Sequence, residues 1–406
     1  MSNSRAGAGA SPRRGRSRLL RLVLRSAAAL VLLLLVSAAV LWAIAWNAIG
    51  ERPSGQRLAR IEQSPQWDYG AFRNRLPRVD GPYGKMLREF VFGGSNYRFP
   101  DSAIPTVPRT AADFVTPPAS GLRVTWLGHS TLLLEIDGQR VLIDPVWGER
   151  VSPFTFLGPK RFYQPPLALD ALPAIAAVVF SHDHYDHLDM PTVKALIAHD
   201  VLFVVPLGVG AHLEHWGVPL ARIRELDWWE TTVVGGITLT STPARHFSGR
   251  GVNDAGATLW SGWAITTDTH RVYYSGDTSL DEFMAEIGTR LGPFDLTMIE
   301  AGAYDALWAD VHLGPEQAVR AHQLVRGKVL LPVHWGLFDL ALHGWTEPIE
   351  RVLVAADAAG VVVATPRPGE SVEPSALGVQ TRWWPMVPWR TVTEAPAWSS
   401  GTERFR

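Results

Sequence analysis

Residues 181–189 read Ser-His-Asp-His-Tyr-Asp-His-Leu-Asp, and inside them His182, His184, Asp186 and His187 form an H-x-H-x-D-H pattern. Three imidazoles and a carboxylate within six residues make a dense set of nitrogen and oxygen donors, which suits zinc or a similar divalent ion. The residues just before, Ala176-Ala177-Val178-Val179-Phe180, are apolar and partly β-branched, so they predict a buried strand that ends at the cluster. In extended backbone, side chains two residues apart point the same way. His182 and His184 therefore face one ion together, whereas Asp186 and His187 come after the chain has begun to turn and are aimed at a second ion.

Further donors follow downstream. His246 comes after the run Ile237-Thr238-Leu239-Thr240, Asp277 after Tyr273-Tyr274-Ser275-Gly276, and His334 after Val329-Leu330-Leu331-Pro332-Val333. A lone histidine after a strand is ordinarily a loop or core residue. Each of these three follows an apolar segment, however, so all are expected at the same end of a sheet as the 182–187 cluster. Asp144, at the end of Val141-Leu142-Ile143, either orients a ligand histidine or caps the Asp144-Pro145 turn. His129, in Gly128-His129-Ser130, is expected to hold a loop in place. The chain has no cysteine, which excludes disulfides, thiolate ligands and a cysteine nucleophile, and no G-x-S-x-G elbow supports a serine mechanism. A net charge of −1 gives no broad basic face for nucleic acid.

These motifs stand among others: Trp126-Leu127-Gly128-His129-Ser130-Thr131, Leu142-Ile143-Asp144-Pro145, Gly158-Pro159-Lys160-Arg161-Phe162, Val205-Pro206-Leu207-Gly208, Asp227-Trp228-Trp229-Glu230, Gly292-Pro293-Phe294-Asp295 and His334-Trp335-Gly336. With them the chain resembles the metallo-β-lactamase superfamily of binuclear hydrolases. Within it, the chain resembles the branch containing N-acylphosphatidylethanolamine-hydrolysing phospholipase D, over residues 85–372. The resemblance implies an α/β fold, the αββα four-layer sandwich. It implies two zinc ions, with iron or manganese as other occupants: His182, His184 and His246 on one, Asp186, His187 and His334 on the other, and Asp277 bridging both around an activated hydroxide. His312 is implied as a catalytic residue that binds substrate or helps the leaving group, and Tyr304 as a substrate contact. The alternative for His312 is a loop residue ahead of the helix that Pro315 opens.

The activity implied is zinc-dependent hydrolysis of a phospholipid head-group phosphodiester by the metal-bridging hydroxide. Two alternatives stay open: a lactonase or other ester or amide hydrolase on the same binuclear site, and a non-catalytic, membrane-tethered metal-binding module. The chain departs from the branch at Asp305-Ala306-Leu307, where a Pro-Arg pair is more usual after the tyrosine. It departs again at Leu313-Gly314, where an apolar-Asn pair is more usual.

The second strong signal is at the N-terminus. From Ala27 to Trp46 only Ser37 is polar, over a length that spans a bilayer, and Arg5, Arg13, Arg14, Arg16, Arg18, Arg21 and Arg25 precede it. The positive-inside rule predicts a single-pass membrane protein with a cytoplasmic N-terminus and an extracytoplasmic catalytic domain. The alternatives are a cleaved signal peptide, with Ala43-Ile44-Ala45 as a cleavage site, and a buried core helix. The expected organisation is a basic disordered segment (1–26), a transmembrane anchor (27–49), a linker and wrapping segment (50–118), a catalytic domain (119–373) and a tail rich in Trp and Pro (374–406). Expected partners are a phospholipid or other small-molecule substrate and the bilayer, with no nucleic acid.

Overall fold

The computed structural model describes residues 13–79 and 81–402. Residues 1–12, part of the segment expected to be disordered, lie outside the described residues. From Arg13 onward helix α1 runs unbroken over Arg13–Ile49. Its basic start is rich in Arg and Leu, both good helix formers, and no Gly or Pro interrupts residues 16–49. Within it Leu20–Ile49 is long and apolar enough to cross a membrane, a property that a span and a signal sequence share. This helix up to Ala48 and the chain from Ile49 onward are separate compact units.

The second unit begins with α2 (Gly55–Ile61), a short ribbon of β1 (Trp67–Asp68) and β2 (Ala71–Phe72), and α3 (Tyr83–Phe92). Two sheets follow. One contains β3 (Leu122–Gly128), β4 (Thr131–Ile136), β5 (Gln139–Ile143), β6 (Ala177–Val179), β7 (Leu202–Pro206) and β8 (Ile223–Leu226), in that order, with β16 (Ser371–Val372) on the outer edge of β3. The other contains β9 (Thr231–Val234), β10 (Ile237–Thr242), β11 (Gly262–Thr266), β12 (Arg271–Tyr274), β13 (Phe294–Glu300), β14 (Gly327–Val333) and β15 (Val362–Val363), in order. Both are mixed: antiparallel pairing gives way to parallel at β5–β6 and at β12–β13.

Apolar side chains on both faces of each sheet explain the layering. Val141, Ile143 and Val179 join Ile265, Val272, Met298 and Leu331 in the core between the sheets. Their strand neighbours Leu142 and Val178 turn outward under α4 (Met190–Leu196) and α5 (Gly210–His215). On the far side, Ala264, Tyr273 and Leu330 turn outward under α6 (Phe283–Arg290), α7 (Pro315–Leu324) and α8 (Glu347–Ala359). The period-two alternation of strands thus feeds three apolar layers, and the result is helix, sheet, sheet, helix.

The segment ahead of β3 lies along this unit: Arg57 pairs with Glu225 at 2.7 Å, and Asn74 donates to the His246 carbonyl at 2.7 Å. The C-terminal tail packs on the core, with Trp383 stacked on Trp335 and Trp384 donating to Glu350 at 2.8 Å.

Candidate metal centre

Five strands deliver their C-terminal ends to one rim of the sandwich, and the donors collect there. β6 leads to His182, β10 to His246, β12 to Asp277, β13 ends in Glu300 and β14 leads to His334. The turns are tight. Among the described residues, His129, Asp144, Ala303 and His334 have left-handed backbone, with φ between 38° and 67°, and all lie at this rim. Strain of this kind persists only where the surroundings fix it. Gly276 allows the sharp entry to Asp277: its φ is +58°, and a Cβ there would sit 2.6 Å from the Ser261 carbonyl oxygen.

The seven expected donors converge in two groups. In the first, His184 Nδ1 lies 2.8 Å from His182 Nε2 and 3.2 Å from His246 Nε2. In the second, Asp186 Oδ2 lies 3.4 Å from His187 Nε2 and 3.2 Å from His334 Nε2. Asp277 stands between them. Its Oδ1 is 3.2 Å from His187 Nε2, and its Oδ2 is 3.1 Å from His334, 3.8 Å from His182 and 3.7 Å from His246. Donors each about 2.0–2.2 Å from one ion are separated by roughly 3–3.5 Å, so these spacings are those of coordination polyhedra. His187 Nε2 and Asp277 Oδ1 are buried and make no hydrogen bond, as expected of atoms kept for a cation. These His and Asp clusters are consistent with a binuclear metal site.

The neighbours set the tautomers. Asp144 accepts from Ser181 N at 2.7 Å, Ser181 Oγ at 2.5 Å and Tyr274 OH at 2.5 Å, and also from His187 Nδ1 at 2.7 Å. Because Ser181 Oγ spends its only proton on Asp144, it accepts from His182 Nδ1 at 2.9 Å. His246 Nδ1 donates to the Val311 carbonyl at 2.8 Å. Each of these three rings therefore presents an unprotonated Nε2 to the centre once its charge is lost. We propose that Asp144 orients the ligand histidines, the first of its two expected alternatives. Asp144→Asn is expected to weaken metal binding about 10–100-fold with the fold kept. Titration with a competing chelator measures it, and unchanged affinity would remove Asp144 from this role.

Electrostatics favour cations. Burial works against charge on His187 and His334, but Asp277 and Asp186 outweigh it. His187 is held well above the usual imidazole range and His334 is pushed up to about 10. Asp186 and Asp277 are buried too, yet the facing histidines hold both well below the usual carboxylate range. An incoming cation has protons to displace, so metal affinity falls with falling pH.

Sequence reading missed three residues here. His129, expected only to brace a loop, donates from Nε2 to Asp186 Oδ2 at 2.9 Å, and burial drives its pKa down to about 3. Glu300 is fully buried. It accepts from Leu313 N at 3.3 Å and from Thr278 N through Oε1, while Oε2 meets His312 Nδ1 at 2.7 Å. Asp183 braces the loop by accepting from Gly249 N and Thr258 Oγ1. His312 reaches the rim, 3.7 Å from Asp277 Oδ2.

Tyr304 does not reach the rim. Its hydroxyl donates to Glu347 Oε1 at 2.8 Å and its ring stacks on His343. The left-handed turn at Ala303 (φ 59°) points Ala303 at the cavity and sends Tyr304 into the interior, so the expected substrate contact is corrected. The cavity above the donors encloses about 370 Å³. His184, Asp186, Asp277, His312 and His334 form its polar floor, and Tyr83, Met86, Phe90, Phe247, Trp308 and Leu340 its walls.

A profile of the beta-lactamase superfamily domain matches residues 139–335. The chain is 39% identical to the N-acyl-phosphatidylethanolamine-hydrolyzing phospholipase D 1 of Caenorhabditis elegans over 271 residues, covering 64% of this chain and 76% of that one. It belongs to the metallo-β-lactamase superfamily. Other members similar to it are an uncharacterized protein of Mycobacterium tuberculosis, 47% identical over 80% of this chain and 88% of that one. The mitochondrial N-acyl-phosphatidylethanolamine-hydrolyzing phospholipase D of Saccharomyces cerevisiae is 30% identical over 58% of this chain and 52% of that one. Superfamily membership and the two donor groups make the chain a metal-dependent hydrolase.

Proposed function

We propose that this chain is a zinc-dependent phosphodiesterase that cleaves the head group of a phospholipid such as N-acylphosphatidylethanolamine. One observation carries the reading: a metal floor of two donor triads sharing Asp277 lies under an apolar-walled cavity, in a chain homologous to enzymes named for that reaction. Nitrogen-rich donor sets favour zinc. The assigned ligands are His182, His184 and His246 for one ion, Asp186, His187 and His334 for the other, and Asp277 for both. Bound there, the ions would lower the pKa of water toward neutrality and take up charge on phosphoryl oxygens.

The protein's own groups supply the rest. Asp277, with an oxygen toward each triad, fixes their spacing. Hydrolysis breaks one P–O bond, the water oxygen stays on phosphorus, and the departing oxygen takes a proton. His312 is assigned to deliver that proton: Glu300 anchors its Nδ1 and its ring lines the cavity, so Nε2 is the nitrogen left for substrate. The apolar walls hold an acyl chain and keep bulk water from the floor.

We place α1 as the anchor, with its arginines cytoplasmic and the catalytic unit on the other side. The purified, metal-loaded chain, assayed against lipid phosphodiesters and lactones together, is expected to turn over the former. Lactone turnover alone would make it a lactonase, and metal binding without any turnover would make it a binding module.

A further inference from the structure

We propose that Ser400, in the C-terminal tail, is a positioning residue of the metal centre: it closes the Arg245–Asp310 ion pair that holds His246 and His312 in place. The part given to His312 rests on the reading above. The hold on His246 does not.

Arg245 stands directly before His246 and is buried. Its backbone is fixed by the turn that follows Asp277: Arg245 N donates to Thr278 Oγ1 at 2.9 Å, and its carbonyl accepts from Ser279 N at 2.8 Å. Its guanidinium lies 3.2 Å from Asp310 Oδ1, and Asp310 is buried too. An ion pair taken out of water is tolerated only where its other donors and acceptors find partners.

Ser400 is the main partner. Arg245 Nη1 donates to the Ser400 carbonyl at 2.9 Å, and Nη2 donates to Ser400 Oγ at 2.8 Å. Ser400 N and Oγ in turn donate to the two oxygens of Asp310, each at 2.8 Å. The segment ahead of the core adds one bond on each side. Arg245 Nη2 donates to the Pro77 carbonyl at 2.8 Å, and Val79 N donates to Asp310 Oδ2 at 2.9 Å.

What the pair holds is chemically important. Val311 follows Asp310, and its carbonyl accepts from His246 Nδ1, the bond that sets the tautomer of that ligand. His312 comes next, with Nδ1 against Glu300. Residues 310–312 belong to no helix or strand, so side-chain bonds rather than a backbone ladder fix their place.

The tail meets this loop a second time. A Cβ at Gly314 would sit 2.1 Å from the Ala397 Cβ. The backbone there (φ −73°, ψ 163°) is open to any residue, so the tail and not the turn demands glycine. Between these contacts, Ser399 accepts from Ser279 Oγ at 2.7 Å and from Gln317 Nε2 at 2.8 Å. Covering apolar surface would not require this polar fit. Fixing ligand-bearing loops against one another does.

Ser400→Ala in the full chain removes the hydroxyl between Arg245 and Asp310 and keeps the backbone bonds. With zinc titrated against a chromophoric chelator, one of the two ions is expected to bind about tenfold more weakly, and Ser400→Thr, which keeps the hydroxyl, to restore it. Unchanged zinc affinity overturns the proposal. So does a lower melting temperature with affinity kept, which would make the tail a stabiliser of the fold only.

A second pair of variants guards against misfolding. Gly314→Ala pushes on Ala397 and is expected to weaken zinc in the same way. Gly314→Ala/Ala397→Gly returns the space, since the new Cβ then meets the Cα of residue 397 at 3.6 Å, and is expected to recover affinity. A double variant no better than Gly314→Ala denies the tail its role.

Turnover reads the His312 half. Ser400→Ala is expected to lower kcat on a lipid phosphodiester about tenfold at unchanged KM, and much less with a nitrophenyl leaving group. Equal loss on both overturns that half. If the unsubstituted chain turns over no phosphodiester, the substrate reading fails and the zinc affinities still decide whether the tail positions His246.

Discussion

Asp277→Asn is expected to abolish turnover, by about three orders of magnitude or more, and to lower bound metal from two ions per chain toward none. The expectation follows from position. Among the described residues, Asp277 is the one carboxylate whose two oxygens lie within 3.8 Å of His182, His187, His246 and His334 together. Asparagine keeps the shape but gives up the negative charge and one acceptor oxygen, so neither donor group keeps its bridging anion. Because the residue is buried behind the Gly276 turn, no nearby carboxylate can swing in to replace it. Glu300 is the nearest candidate and is already committed to Thr278, Leu313 and His312. Elemental analysis and turnover measured on one preparation check both halves. Near-normal turnover would remove Asp277 from the bridging role, whereas full metal content with no turnover would confine it to catalysis.

The part of this site that sequence revealed was the part that obeys a local rule. A polar residue within about four positions of the end of an apolar strand marks the rim of a sheet. His182, His246, Asp277 and His334 all follow that rule, and all meet in space. Glu300 follows it too, after Leu296-Thr297-Met298-Ile299, and could have been found the same way. His129 was harder. It follows β3, but its place in a two-residue turn to β4 reads as a structural hinge, and only the tertiary approach of Asp186 gives it a partner.

Tyr304 shows the opposite failure. It also follows a strand, by four residues as His246 does, but the left-handed residue just before it turns its side chain from the cavity to the core. No local pattern announces a positive φ at an alanine. The sandwich itself was legible through the resemblance to the superfamily, and alternating apolar residues on both faces of each strand are what build it.

Glu300→Gln and His312→Ala are expected to separate proton delivery from metal binding. His312 Nδ1 sits 2.7 Å from Glu300 Oε2, and burial pushes the Glu300 carboxyl above its usual range. A carboxyl that keeps its proton can donate to Nδ1, which leaves the hydrogen on Nε2, facing substrate. When Nε2 gives up that hydrogen to a departing oxygen, Glu300 can pass its own to Nδ1, so the imidazole never has to exist as an imidazolium in a buried site. Glutamine in place of Glu300 can still hold the ring by hydrogen bonding, but it has no proton to pass on.

Both variants should therefore retain two ions per chain and lose roughly 10²–10⁴ in kcat on a lipid phosphodiester, whose alkoxide leaving group needs the proton. With a nitrophenyl leaving group, which departs without protonation, most of that loss should disappear. A purely positioning role predicts something else: a raised KM, and the same loss for good and poor leaving groups. If the leaving group makes no difference, His312 contacts substrate but does not protonate it, and the proton reaches the departing oxygen by another path.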